Sequence, residues 1–500
     1  FGAGTTPSSS GNSGVGTGIE VRDISAAGSV MSFSVRFSLP FGHKRVAFDG
    51  KAKGISPIPA DLDGVGGEEF IIASVIAADT GLVDTGVVYI VPDAGAADWD
   101  GNIELMIKVV DAIWAGSPVL DDIDRDDTLE VFITSEQGSL HAFKVSGSSY
   151  PVDDDDSPGS LALRGSYNSS PMLVEADGDT LPEVLVLSST GDSTFCYLVD
   201  CGSLPGTGWS YVGNGVIELP LVEGRLASHP ARGIVQDGNG ETLDGFYFLT
   251  TNGDDIDLHF VGLFAAGRTL EGIELLSRTI SGGGAQHYLL VPSAGDIDRD
   301  GSDEMIVAIP GTGLVYYSPF GGLSICTLMG SWPSSPALGD IDGDGILETV
   351  LQDEAYLYLL TGYGVPLSGW PVRLSDRVIE LEKIYPPASP VIGDLNGDDR
   401  MELLFSAGGD LHAYGLSGEP LDGWPIPGEG DGSGSPALLA GSAGELYIFF
   451  TGAYDLIAGG IPEIYYTSGL SSIRRYTTGY TVTPELWQRS WPFYRHDRGG

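Results

Sequence analysis

Five stretches of this sequence place oxygen-bearing side chains at the first, third, fifth and ninth positions of a nine-residue window. They are Asp122, Asp124, Asp126 and Glu130; Glu175, Asp177, Asp179 and Glu183; Asp296, Asp298, Asp300 and Glu304; Asp340, Asp342, Asp344 and Glu348; and Asp394, Asn396, Asp398 and Glu402. Three carboxylates two residues apart converge when the chain curls into a tight turn. The main-chain carbonyl of the seventh residue (Thr128, Leu181, Ser302, Ile346 or Arg400) adds a ligand, and the ninth acid returns from the strand that follows. An all-oxygen cage of about six or seven donors suits calcium, whereas zinc or copper would require His or Cys, and these loops contain neither. At the acid frequency of this chain, chance would supply roughly 0.2 four-acid windows of this spacing, against four strict copies and one with Asn. The expectation is about five calcium sites. Asp61, Asp63 and Glu69 form a weaker copy with Val65 at the fifth position, and Asp-Gly pairs there also serve as plain turns.

These loops need something to hold them, and the surrounding sequence repeats. A proline is followed four residues later by an acid at Pro57, Pro118, Pro171, Pro292, Pro336 and Pro390. Two looser copies fill the gaps: Pro230, where the acidic stretch Asp237 to Glu241 is displaced by an insertion, and Pro436, where Ala440 replaces the acid. After each acidic loop comes an apolar run such as Val131-Phe132-Ile133 or Met305-Ile306-Val307, then a glycine-containing turn and a second run such as Leu411-His412-Ala413-Tyr414. Several units close with Gly-Trp-Pro, as at Gly369-Trp370-Pro371 and Gly423-Trp424-Pro425. The last acid of each loop stands at position nine, not twelve, and precedes a strand pattern, which excludes an EF-hand. Spacings between anchors run from 44 residues (Pro292 to Pro336) to 62 (Pro230 to Pro292). Units of this size with three or four short strands predict an all-β chain, a single β-propeller of eight blades, or seven if the Pro230 or Pro436 unit is incomplete.

The remaining segments suggest a division into a Gly/Ser/Thr-rich arm (1–18), a β-hairpin (19–36), the propeller (37–486) and a closing tail (487–500). The composition agrees with many tight turns: 74 Gly and 30 Pro among 500 residues, with 42% hydrophobic and 19% charged. A formal net charge of −45 disfavours nucleic acid and anionic membranes as partners, and no apolar stretch is long enough for a membrane span. Cys196 and Cys201 bracket a short apolar run and could close a hairpin or remain buried thiols.

The stretch Ser335-Pro336-Ala337-Leu338-Gly339-Asp340-Ile341-Asp342-Gly343-Asp344-Gly345 resembles the FG-GAP or VCBS (integrin-α-like) propeller repeats, also common in secreted bacterial proteins, and the resemblance covers about residues 40 to 460. It implies calcium in the loop between the first two strands of a blade, and a secreted or cell-surface protein acting in adhesion, matrix or surface-layer structure. The partner would be a protein or glycan, or further copies of the chain. The loops near Asp61, Asp237 and Ala440 depart from the pattern. Separately, Thr6-Pro7-Ser8, Gly18 to Ser25 and Met31-Ser32-Phe33 resemble the segment after the catalytic domain of M6-type (immune inhibitor A-like) secreted metallopeptidases, which implies an accessory domain of a longer precursor.

No catalytic set stands out, so the sequence expectation is a chain that is not an enzyme. There is no His-Glu-x-x-His, no Gly-x-Ser-x-Gly and no histidine next to a nucleophile motif. His141 and His412 occupy equivalent strand positions, which suggests packing. The enzymatic alternative is a lyase of the rhamnogalacturonan type, whose members also use eight-bladed calcium propellers. Receiving uronates would need a basic cluster, for which Arg474-Arg475 and the span Arg489 to Arg498 are the candidates.

Overall fold

The apolar run after each acidic loop is continuous where a half-exposed strand would alternate. Glu130–Ser135, Glu183–Ser189, Glu304–Ile309 and Glu402–Ala407 are strands buried at every residue. A strand reads this way when both of its faces are covered. The outer strands differ: Gly322–Cys326 and Ser160–Ala162 are mostly exposed or half-buried.

The computed structural model describes residues 19–22, 34–37, 42–49, 57–60, 69–76, 84–91, 105–123, 129–144, 160–174, 182–199, 216–236, 240, 242–263, 274–281, 289–374, 387–408, 410–426, 434–440, 445–454 and 470–481. Among them there is no helix. Ile19–Arg22 pairs with Ser34–Phe37 as a separate two-stranded sheet. Eight further antiparallel sheets of three to five strands follow, one for each proline-anchored unit. The first unit is representative: Ile58–Ala60, Glu69–Ile76, Thr85–Val91 and Leu105–Val110 pair in chain order.

The eighth sheet closes the series. Its strands Ala437–Ala440, Glu445–Tyr454 and Leu470–Thr481 are joined at the edge by Gly42–Asp49, in register from Gly42 opposite Thr477 to Asp49 opposite Leu470. The last unit thus takes its outer strand from the start of the chain, which joins the first and last units and removes an open edge.

The hydrophobic clusters lie between sheets. One joins Ile71 and Val88 of the first unit to Val131 and Ile133 of the second; another joins Phe132 and Leu140 to Val184 and Tyr197 of the third. The series continues through Leu187 with Phe248, Tyr247 with Tyr317, Tyr316 with Leu359 and Phe405, and Leu404 with Leu438. Sheets that bury both faces against their predecessor and successor are the blades of a β-propeller, and the chain has that fold.

The prolines sit just before the innermost strand, where a missing N–H costs no ladder bond. The residues before them link blade to blade: the Ser117 N–H donates to Ser170 Oγ at 3.0 Å, and the Ser389 N–H to Ser435 Oγ at 2.9 Å. Trp370 of the sixth unit is buried, and its indole N–H donates to the Leu416 carbonyl of the seventh at 2.9 Å, so this Gly-Trp-Pro motif anchors neighbouring blades. Trp491 lies outside the described residues. His412 stacks on Phe405 with centroids 5.2 Å apart, and His141 packs edge-on against Trp114 at 5.7 Å. Cys196 is a buried free thiol, and Cys201 lies outside the described residues.

Candidate metal centre

Each acidic loop joins the innermost strand of a blade to the next. The ninth-position acid is the first residue of that second strand and pairs with the last residue of the first: Gly295 with Glu304, Gly339 with Glu348, Gly393 with Glu402, Asp121 with Glu130, Val174 with Glu183 and Ala60 with Glu69. This pairing brings the ninth acid back beside the start of the loop. All six of these glutamates are buried.

Three loops are described in full. In the fifth unit the Arg299 N–H donates to Asp296 Oδ1 at 2.6 Å and the Gly301 N–H to Asp296 Oδ2 at 3.1 Å. Asp298 Oδ1 accepts from the Asp300 N–H at 3.1 Å, and Asp300 Oδ1 from the Ser302 N–H at 2.8 Å. The sixth unit repeats the last two bonds, with Asp342 Oδ1 accepting from Asp344 N–H at 3.1 Å and Asp344 Oδ1 from Ile346 N–H at 2.7 Å. In the seventh, Asn396 Oδ1 accepts from Asp398 N–H at 2.9 Å and Asp398 Oδ1 from Arg400 N–H at 3.0 Å. Each carboxylate or amide thus turns the backbone back on itself two residues later. Positions four and six are left-handed in all three loops: Arg299 and Gly301, Gly343 and Gly345, Gly397 and Asp399. Four of the six are glycine, which takes that conformation without a Cβ penalty.

The loops gather their acids. Asp296, Asp298 and Asp300 each offer a carboxylate oxygen within 4.8 Å of the others, and so do Asp340, Asp342 and Asp344. The ninth-position glutamates lie outside these groups of three and are tied to the start of the same loops by hydrogen bonds. The N–H of the second loop residue donates to their Oε2: Ile297 to Glu304 at 3.2 Å, Ile341 to Glu348 at 2.8 Å, Leu395 to Glu402 at 2.8 Å and Ile123 to Glu130 at 3.1 Å. The other oxygen, Oε1, of Glu304 and of Glu348 is buried with no hydrogen-bond partner, and these side chains are 0% and 1% exposed. In the seventh unit, Asn396 Nδ2 donates to Glu402 Oε1 at 3.1 Å.

Burial pushes the Glu304 carboxyl up to about 8, Glu402 up to about 8 and Glu348 up to about 7, against the opposing Ile297, Leu395 and Ile341 N–H donors, with the neighbouring loop aspartates pushing the same way. A buried carboxylate beside converging acids is unfavourable alone and favourable around a divalent cation. The residues therefore fit calcium: donors are all oxygen, they converge, and a buried glutamate oxygen in each of two loops lacks a partner. Asp296, Asp298, Asp300 and Glu304 would hold one ion with the Ser302 carbonyl, and Asp340, Asp342, Asp344 and Glu348 another with the Ile346 carbonyl. Asp394, Asn396, Asp398 and Glu402 with Arg400 form the third described set. Asp122 is described, whereas Asp124, Asp126, Thr128, Glu175, Asp177, Asp179, Leu181, Asp61 and Asp63 lie outside the described residues.

The fifth-unit loop is also tied to its neighbours. The Ile234 N–H of the fourth unit donates to Asp303 Oδ2 at 2.8 Å, and the Gln236 N–H to Ser302 Oγ at 3.1 Å. On the other side Arg299 reaches the sixth-unit loop. The sequence reading passed over Asp303, Arg299 and Tyr363, which lie between the expected ligands or beyond them. A non-glycine at position four, where two of the three loops have Gly, was the one available signal.

No family model matches the sequence, and no curated protein matches it. Among solved structures, the chain is similar to a rhamnogalacturonan lyase PL11 of Bacillus licheniformis, with a TM-score of 0.36 and 13% identity over 75% of this chain and 76% of that one. It is similar to BBS1N in complex with ARL6DN, with a TM-score of 0.38 and 11% identity over 75% of this chain and 94% of that one. The V. cholerae biofilm matrix protein Bap1 gives a TM-score of 0.30 and 11% identity over 87% of this chain and 78% of its own. Rhamnogalacturonan lyases recur among these structures, which corrects the sequence expectation that the chain is not an enzyme. That expectation rested on missing catalytic motifs alone. The side chains of Arg474 and Arg475 and the whole span from Arg489 to Arg498 lie outside the described residues.

Proposed function

We propose that this chain is an extracellular β-propeller of the FG-GAP/VCBS kind, stapled by calcium at the loops between the first two strands of its blades, and that it acts as a binding or matrix module toward a protein or glycan. The observation that carries the calcium reading is the buried, unpartnered Oε1 of Glu304 and Glu348 beside three convergent aspartates. Such oxygens stay unpaired in a fold at a cost of about 1–3 kcal/mol each unless a ligand meets them. Calcium rather than magnesium follows from the many flexible oxygen donors offered by one loop, since magnesium keeps most of its waters. The charge of −45 supports partners other than nucleic acid or anionic lipid, and no helix among the described residues is long and apolar enough to cross a membrane.

The test is a calorimetric titration of calcium into chelator-stripped protein in a background of millimolar magnesium. The expected result is saturable binding that survives the magnesium. A flat titration, or binding abolished by magnesium, overturns the reading.

A further inference from the structure

The metal loops of the fifth and sixth units touch. Arg299, at position four of the first loop, sends its guanidinium across the seam between the blades. Its Nε donates to the Gly345 carbonyl at 3.1 Å and its Nη2 to the Asp344 carbonyl. These are positions five and six of the second loop, and Asp344 is one of its ligand candidates. In the other direction, Tyr363 of the sixth unit donates its hydroxyl to Asp298 Oδ2 at 2.8 Å, a ligand candidate of the first loop.

The guanidinium is held at its root as well as at its tip. The Arg299 N–H donates to Asp296 Oδ1, and the residue is left-handed at φ 64°. The second loop is shaped to receive it: a Cβ at Gly345 would run into the guanidinium. The next loop in the series has Asp394 preceded by a unit whose fourth position is Gly343, which has no side chain to cross the following seam. The contact therefore belongs to one pair of loops among those described in full.

We propose that these two loops bind calcium as a coupled pair, with Arg299 as the positioning residue that links them; this rests on the calcium reading above. A cation in the first loop draws in Asp296, Asp298 and Asp300 and so fixes the backbone from which Arg299 projects. The fixed guanidinium then holds the Asp344 and Gly345 peptide planes, and with them the turn in which Asp344 Oδ1 accepts from Ile346 N–H. A cation in the second loop fixes Asp344 and thereby the acceptors of Arg299. The effect is reciprocal, as linkage requires. The positive charge of Arg299 also lies between two acidic clusters, where it offsets their mutual repulsion in the empty state.

The experiment is a terbium titration of the full chain, with terbium as the calcium probe and tyrosine-sensitised emission as the readout. Tyr363 donates to Asp298, so the part of the emission removed by Tyr363→Phe reports the first loop. Asp344→Asn, which disables the second loop, is expected to raise the midpoint of that part about fivefold. Arg299→Ala should raise it similarly, and Asp344→Asn added to Arg299→Ala should raise it no further. As a control, Asp398→Asn in the seventh-unit loop should leave the midpoint unchanged. An unmoved midpoint in Asp344→Asn overturns the coupling, and so does a fivefold shift that persists in the Arg299→Ala background. A chain that shows no saturable terbium emission and no calcium uptake in calorimetry overturns the metal reading itself, a different failure from independent sites.

Discussion

Replacing Glu304 by glutamine should raise stability without calcium and shrink the stability that calcium adds. The substitution keeps the size of the side chain and an oxygen to accept the Ile297 N–H, but removes the charge from a group buried beside Asp296, Asp298 and Asp300. With calcium at a hundredfold excess over its dissociation constant, one occupied site stabilises the fold by about 2.7 kcal/mol. For 500 residues at about 2.1 cal/mol/K each, the unfolding entropy is about 1 kcal/mol/K, so loss of that site removes the calcium-dependent part of Tm, about 2.6 °C, on top of any change in the metal-free fold. In chelator the argument reverses. At about pH 9, above the value of about 8 to which burial pushes this carboxyl, the metal-free wild type holds a buried carboxylate with an unpartnered oxygen and like charges around it, so Glu304→Gln should raise Tm by about 1–3 °C, the equivalent of relieving a burial cost of about 1–3 kcal/mol. The assay is differential scanning calorimetry of both proteins in calcium and in chelator. Equal lowering of Tm in both buffers would refute the reasoning, because it would make Glu304 a structural hydrogen-bond acceptor and no more.

Three further outcomes follow from other parts of the ring. His259 is buried between Thr250 and Ser277 and stacked on Phe248, and burial lowers its pKa to about 4, with Asp257 opposing. The folded state then binds fewer protons than the unfolded state between pH 6.5 and 4, so stability is full above pH 6.5 and falls as pH drops, by at most about 3 kcal/mol. Urea midpoints at pH 7 and pH 4.5 should differ less in His259→Gln than in the wild type, and an equal difference would remove His259 from the account. Trp370→Phe deletes the donor to the Leu416 carbonyl and should cost about 1–2 kcal/mol in urea unfolding, with an unchanged midpoint refuting the anchor. Gly345→Ala must carry a Cβ at φ 83° and against the Arg299 guanidinium, so it should cost at least about 1–2 kcal/mol, read by the same unfolding measurement.

Much of the fold was legible because each unit states its own pattern twice. The proline before the first strand and the acid four residues later set the period, and the continuous apolar runs, such as Val184 to Leu187, reveal strands covered on both faces. The Pro230 unit shows why the pattern tolerates damage: its acidic stretch is displaced, yet Thr242–Asn252 and Asp255–Leu263 still form a buried pair, since burial and not the loop defines the sheet. Among the ligand sets, the burial of Glu304, Glu348 and Glu402 follows from their place at the start of a second strand. The link from Arg299 to Asp344 was not legible, because it depends on the distance between two blades and on the direction of one long side chain. The closing strand was not legible either. Gly42–Asp49 supplies the outer strand of the last sheet, and nothing local in those eight residues names a partner more than 400 residues away; the tail around Trp491 lies outside the described residues.

That pairing sets an order of events during synthesis. Gly42 meets Thr477, so one strand of the pair leaves the ribosome more than 400 residues before the other. The entropy of closing so long a loop grows only with the logarithm of its length, about 0.6 kcal/mol per doubling, so distance along the chain is a small thermodynamic burden. The cost is one of time. Until residue 470 emerges, the outer flank of the last sheet has no template for Gly42–Asp49, and the earlier strand waits without its partner. A nascent chain stalled short of that point, or clipped between Asp49 and the first blade, would keep most of its sheets and lose its seal.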